Sequence, residues 1–186
     1  MVKVTLLGDS IRISYAEKVT ERLGADFEVF SPVENGRFAK NTLRGIHEWY
    51  ASMKDTRIVH WNNGLWDVHE CLGDGVFTDE AEYVTNMLRI ADNLLKRYDK
   101  VIFATTTPVH PSNPYFNNDI IKRYNEVLAP LLKEKGVIIN DLHTPIWADP
   151  DRLICEDKLH LSEEGVEICV GLVTDIIKKT AETLDK

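Results

Sequence analysis

Four short stretches of this 186-residue chain carry side chains suited to acyl chemistry. The first is Gly8-Asp9-Ser10, directly behind the apolar run Val2 to Leu7. A serine hydroxyl is a weak nucleophile at neutral pH and needs a base. Ser10 opens a helix, where unpaired N–H groups and the positive end of the dipole favour negative charge on a reacting oxygen. The same position suits a plain helix N-cap, so the tripeptide alone leaves both roles open. The second stretch, Asp157-Lys158-Leu159-His160, holds an orienting carboxylate and a base within one turn. The aspartate would accept the Nδ1 proton and leave Nε2 free to take the serine proton. His143, close behind Asp141, is a rival base. The remaining stretches offer donors for a tetrahedral oxyanion: the amide of Asn63 and the backbone N–H of Gly36, beside that of Ser10 itself. Read alone, Asn62-Asn63-Gly64 also fits an ordinary turn.

The elements that must position these groups follow from hydrophobic periodicity. Short branched runs at Val2–Leu7, Phe27–Phe30, Ile58–Trp61, Val101–Ala104 and Val137–Ile139 read as five strands. Between them lie amphipathic stripes: Ile11, Tyr15, Val19, Leu23; then Leu43, Ile46, Trp49, Met53; then Val84, Leu88, Ala91, Leu95; then Ile120/Ile121, Tyr124, Leu128, Leu131 and Leu132. Thr78 or Asp79 suits the cap of the third helix, and Ser162 caps a last helix carrying Val166, Val170, Val173 and Ile177. Asp141 to Lys158 reads as irregular. Five alternations of strand and helix imply a parallel sheet covered on both faces. No linker divides the chain, so one domain over residues 1–186 is expected. In such a sheet the chemistry gathers at the carboxy ends of the strands. Three of the stretches follow strands one, two and three, and Asp157–His160 lies just before the last helix.

This set resembles the SGNH branch of the GDSL esterases and lipases. The first block of that family is similar to Leu6-Leu7-Gly8-Asp9-Ser10-Ile11-Arg12, and its closing D-x-x-H block to Asp157–His160. The usual G-x-N-D block is matched at Asn63, with Trp61 in place of glycine and Gly64 in place of aspartate. Gly36 takes the lone glycine of the second block. The resemblance implies an α/β fold: a three-layer α/β/α sandwich with a five-stranded parallel sheet, flavodoxin-like. It implies catalysis by Ser10, His160 and Asp157, an oxyanion hole of Ser10, Gly36 and Asn63, and no metal or organic cofactor.

Substrate reading rests on the loops. Trp61, Trp66, Tyr115, Phe116, Trp147 and His110 lie at the expected active edge, and Trp61, Trp66 and His110 are candidates to bind substrate. Without a long apolar lid, short acetyl-type esters of a carbohydrate or other small soluble molecule are expected. An acyl-thioesterase or lysophospholipase-type lipid hydrolase, and a catalytically silent glycan-binding protein, are the alternatives. A flavodoxin-like or receiver-type binding domain shares the alternation, but a receiver wants a lysine after the fifth strand, where this chain has Asn140-Asp141. The net charge of −8 argues against a nucleic-acid partner, and no apolar run is long enough to span a membrane. Three dispersed cysteines, Cys71, Cys155 and Cys169, read as reduced thiols of a cytoplasmic protein, as does the lack of a secretory leader. Oligomeric state leaves no mark in the sequence.

Overall fold

The structure, a computed structural model, describes residues 1–70 and 72–184. Of the three cysteines, Cys71 lies outside the described residues, while Cys155 and Cys169 are free thiols. The elements run β1 (Val2–Leu7), α1 (Ser10–Leu23), β2 (Phe27–Phe30), α2 (Ala39–Trp49), β3 (Ile58–Trp61) and α3 (Glu80–Leu95). They continue with β4 (Lys100–Ala104), α4 (Asn118–Glu134), β5 (Ile138–Asn140), α5 (His143–Trp147), α6 (Pro150–Leu153) and α7 (Glu163–Ala181). The five strands form one parallel sheet in the order β2-β1-β3-β4-β5. Helix α1 packs on α7, and α3 packs between α2 and α4, so two helical layers enclose the sheet. Among the described residues, no helix is long and apolar enough to cross a membrane.

Both faces of the central strands are covered, so they read as continuous apolar runs rather than alternating ones. All four residues of β3 are buried. His60 sits among them next to Tyr15, and burial pulls its pKa down to about 3. Three local expectations needed adjustment. Met53 is buried in the turns after α2 and not in the helix. The inner face of α3 carries Tyr83, Met87, Ile90, Ala91 and Leu94: Ala91 is buried as expected, while Val84, Leu88 and Leu95 sit one position off and are half-buried. The stretch expected to be irregular contains α5 and α6. These are too short to show periodicity, and they bury Ile146 and Leu153.

Gly8 ends β1 at φ 150°, and an added Cβ would come within 1.9 Å of Asn62 Oδ1. Gly64, at φ 143°, would place one 2.1 Å from Thr106 Oγ1. Both residues let two strand ends approach each other closely at the active edge. Gly8→Ala is expected to lower stability by about 2 kcal/mol or more, through strained φ and overpacking. Denaturant melts would show this as a lower midpoint, and an unchanged midpoint would refute the account.

Candidate active site

Ser10 is the first residue of α1, but it does not cap the helix. Asp9 is the N-cap, and its Oδ1 accepts the N–H of Ile11 at 3.0 Å and the Nδ2–H of Asn62 at 2.7 Å. That division of labour leaves the Ser10 hydroxyl for another partner. Burial of Asp9 raises its pKa against the pull of those two hydrogen bonds and of Arg12. Arg12, only 2% exposed, fixes the same turn from below. Its guanidinium donates to the Ser31 hydroxyl and to the carbonyls of Pro32, Gly8 and Glu34, tying the β1–α1 turn to the β2–α2 loop.

The partner of Ser10 comes from the other end of the chain. His160 Nε2 lies 3.0 Å from Ser10 Oγ, and His160 Nδ1 lies 2.6 Å from Asp157 Oδ2. Asp157 Oδ1 accepts the backbone N–H groups of Leu159 and His160 at 3.0 and 2.9 Å, so the carboxylate folds its own loop. Desolvation pushes the Asp157 pKa up, but the imidazole and those two N–H groups outweigh it and hold the carboxyl below its usual range. Lys158, at φ 65°, turns the chain between the two residues. Its carbonyl accepts the His110 N–H at 3.1 Å and the Asn113 side chain at 3.0 Å. An aspartate on Nδ1 and a serine on Nε2 is the order in which an imidazole can take the serine proton.

The donors for an oxyanion are only partly those expected. The N–H of Ser10 meets no acceptor among the described residues, as expected for the first turn of a helix. Asn63 follows β3 at the carboxy edge of the sheet, and one hydrogen of its Nδ2 goes to Arg37 O at 2.9 Å, leaving the other. Gly36 needs correction. Its N–H already donates to Gly8 O at 2.8 Å, so Gly36 serves as a backbone clasp between two loops. Two residues of that loop face the site: Asn35 and Phe38 line the pocket beside Ser10, and the Phe38 N–H has no acceptor among the described residues.

That pocket has a volume of about 520 Å³ and is lined by Ser10, His160, Asn35, Phe38, Leu65, Trp66, His69, Phe77, Phe116 and Leu159. Trp66 therefore stands where the sequence placed it, and Phe116 joins it. Trp61 does not: it is fully buried in β3 against Phe103, because a central parallel strand has no solvent face. His110 also lies outside the pocket lining. Its ring bridges Asp151 and Ser112, both at 2.8 Å, and it braces the loop that carries His160. His143 and Trp147 line a separate cleft of about 630 Å³ beside α4, away from Ser10. Sequence reasoning missed Phe38, Phe77 and His69. They sit in loops or at a helix cap, where no periodicity marks a residue as facing a pocket.

The fold and the site together define an α/β/α sandwich with a crevice at the carboxy edge of its parallel sheet. A GDSL esterase/lipase of Oryza sativa subsp. japonica is 31% identical over 122 residues, covering 58% of this chain and 47% of the relative. Another from Arabidopsis thaliana is 25% identical over 158 residues, covering 77% of this chain and 51% of the relative. The chain thus spans about half the length of the curated relatives it matches. No family model matches it. A lipase/acylhydrolase from Enterococcus faecalis has the same fold, with a TM-score of 0.83, 20% identity and 97% of each chain covered. So does an acetyl xylan esterase from Geobacillus stearothermophilus, with a TM-score of 0.78, 15% identity, and 94% of this chain and 93% of that one covered. The chain is thus similar in sequence to GDSL esterases/lipases over part of its length and shares the fold of the solved acylhydrolases.

Asp67 sets the wall of the site from beneath. Helix α2 has no side-chain cap of its own at Phe38, and the carboxylate of fully buried Asp67 accepts the Ala39 N–H instead, at 3.0 Å. Desolvation outweighs that hydrogen bond and raises the Asp67 pKa to about 7. The folded state therefore keeps a proton that the unfolded chain has lost between about pH 4 and 7. Stability from this group falls as pH rises through that window and levels above it. Asp67→Asn keeps an acceptor for Ala39 and removes the titration. Its Tm relative to the parent is expected to rise by several degrees from pH 5 to pH 8, at about 2–4 °C per kcal/mol. A difference that stays flat across that range would contradict the assignment.

Proposed function

We propose that this chain is a serine ester hydrolase acting on small soluble carboxylic esters. The observation that carries the reading is the hydrogen-bonded line from Asp157 through His160 to Ser10. Ser10 Oγ attacks the ester carbonyl carbon while its proton passes to His160 Nε2. The tetrahedral oxyanion is held by the Ser10 N–H and the second Nδ2–H of Asn63, with the Phe38 N–H in the place first expected for Gly36. Collapse breaks the bond to the leaving alcohol, which takes the proton from His160. Water then gives a proton to His160 and attacks the acyl-enzyme, releasing the acid and returning the proton to Ser10. Asp157 keeps the imidazole in the required tautomer throughout. No step calls for a metal or cofactor.

Acetyl-type esters of a carbohydrate draw support from the acetyl xylan esterases among proteins of this fold. The pocket favours a second reading of the acyl group. Its 520 Å³ and its wall of Phe38, Leu65, Trp66, Phe77, Phe116 and Leu159 suit an acyl group larger than acetyl. The unbroken Ser–His–Asp line speaks against a silent glycan-binding scaffold.

A fluorophosphonate probe is expected to label the protein, and Ser10→Ala to abolish labelling. His160→Ala should lower kcat by roughly 10⁴–10⁶ with folding kept, while His143→Ala stays near the parent. The reverse pattern would move the base to α5. Across p-nitrophenyl acetate, butyrate, octanoate and palmitate, kcat/KM is expected to peak at or below octanoate. A maximum at palmitate would favour a lipid hydrolase.

A further inference from the structure

The pocket beside Ser10 has one polar ring set into an aromatic wall. His69 lies in the loop between β3 and α3 and lines the pocket opposite no charged partner. It stacks on Tyr115 with centroids 5.8 Å apart and planes 10° apart, meets Phe116 edge-on at 5.0 Å, and tilts against Phe77 at 5.5 Å. Its backbone is held as well. The His69 carbonyl accepts the Phe77 N–H at 3.1 Å, and the next N–H, of Glu70, donates to Tyr115 O at 2.9 Å. The ring is therefore fixed in place. Nδ1 is buried with no partner among the described residues, and Nε2, the accessible nitrogen, has none either.

A polar ring without hydrogen bonds is out of place in such a wall. Phenylalanine or leucine would fill the same space at lower desolvation cost, and Nε2, the nitrogen left accessible, is the one a ligand in the pocket can reach. The neighbouring rings narrow the choice of ligand. Phe38 stands nearly edge-on to both Trp66, at 5.5 Å and 69°, and Phe77, at 5.4 Å and 67°. A flat aromatic guest extends such an edge-to-face array, with positive ring edges against negative faces. A plain alkyl chain would gain the buried area but leave His69 unpartnered. A sugar ring would bring more hydroxyls than the wall can meet. Apart from Ser10 and His160, the polar side-chain groups there are Asn35, His69 and the Trp66 indole N–H, and Asn35 Oδ1 already accepts the Arg37 N–H.

Building on the serine-esterase reading, we propose that the pocket holds an acyl group bearing an aromatic ring with an oxygen substituent, and that His69 selects it through a hydrogen bond from that oxygen to Nε2. A hydroxyl suits either tautomer, since it both donates and accepts. His69 is thus a specificity-determining residue that touches the substrate away from the reacting carbonyl.

The test uses methyl cinnamate and its 2-, 3- and 4-hydroxy derivatives, with p-nitrophenyl butyrate as the reference for basic esterase activity. In the parent protein the best hydroxylated isomer is expected to exceed cinnamate about tenfold in kcat/KM. His69→Phe should bring that ratio to about one, and His69→Gln, which keeps a hydrogen-bonding group, should give an intermediate ratio. The same ratio is expected in Kd for the esters bound to Ser10→Ala, read by tryptophan fluorescence, where no chemistry is required. A ratio near one in the parent protein, or a tenfold ratio that survives in His69→Phe, would overturn the proposal. If the butyrate is cleaved and the fluorophosphonate labels Ser10 while the ratio is one, only the role of His69 fails. If labelling and cleavage are both absent, the esterase reading fails, and the Kd ratio on Ser10→Ala still decides ring selection.

Discussion

Everything at the site depends on two helices from opposite ends of the chain lying side by side. Helix α1 packs on α7, with Lys18 and Arg22 reaching Glu167 across the seam and Tyr15, Val19, Val166 and Val170 buried nearby. Both helices begin at the carboxy edge of the sheet, because every strand in a parallel sheet points the same way. Ser10 opens α1, and His160 sits two residues before the Ser162 cap of α7. Once the helices pack, a hydroxyl and an imidazole separated by 150 residues stand 3.0 Å apart. The buried apolar seam supplies the stability. The exposed ion pairs across it add little, as partly solvated pairs do.

Rigidity at the edge comes from buried polar groups more than from the core beneath. Arg12 joins the first turn to the β2–α2 loop, Gly36 clasps Gly8, Asn62 joins β3 to Asp9, and Asp67 caps α2 from another segment. Each replaces water around a group that would be expensive to bury alone. Together they hold three loops in one register, which the proposed acyl transfer requires, since misplacing a reacting group by about 1 Å can cost roughly 10²-fold in rate. Asp67 shows the price of such an arrangement. Its carboxyl is so poorly solvated that it holds its proton to about pH 7.

His110 and Gly36 illustrate how a residue can be at the right edge and still do a different job. Both lie in loops that border the site. Yet the ring of His110 is engaged by Asp151 and Ser112, and the N–H of Gly36 by Gly8. They hold up neighbours of the reacting groups without reaching the pocket. His69, unremarked in its loop, keeps a buried ring nitrogen with no partner among the described residues.

The residue order by itself determined the strand–helix alternation and the parallel sheet, and with the family resemblance it singled out the Ser10, Asp157 and His160 set. These are local properties: period, caps, and an aspartate one turn from its histidine. It also marked Trp66 and Asn63. What only the tertiary structure decided was direction and competition. Trp61 faces the core because both sides of β3 are covered, the inner stripe of α3 is rotated by one residue, and Asp9 rather than Ser10 takes the cap. The aromatic wall around His69 and the distant cap from Asp67 were equally invisible. A backbone N–H or a ring has several neighbours within reach, and which one it meets is set by packing between segments that no local pattern connects.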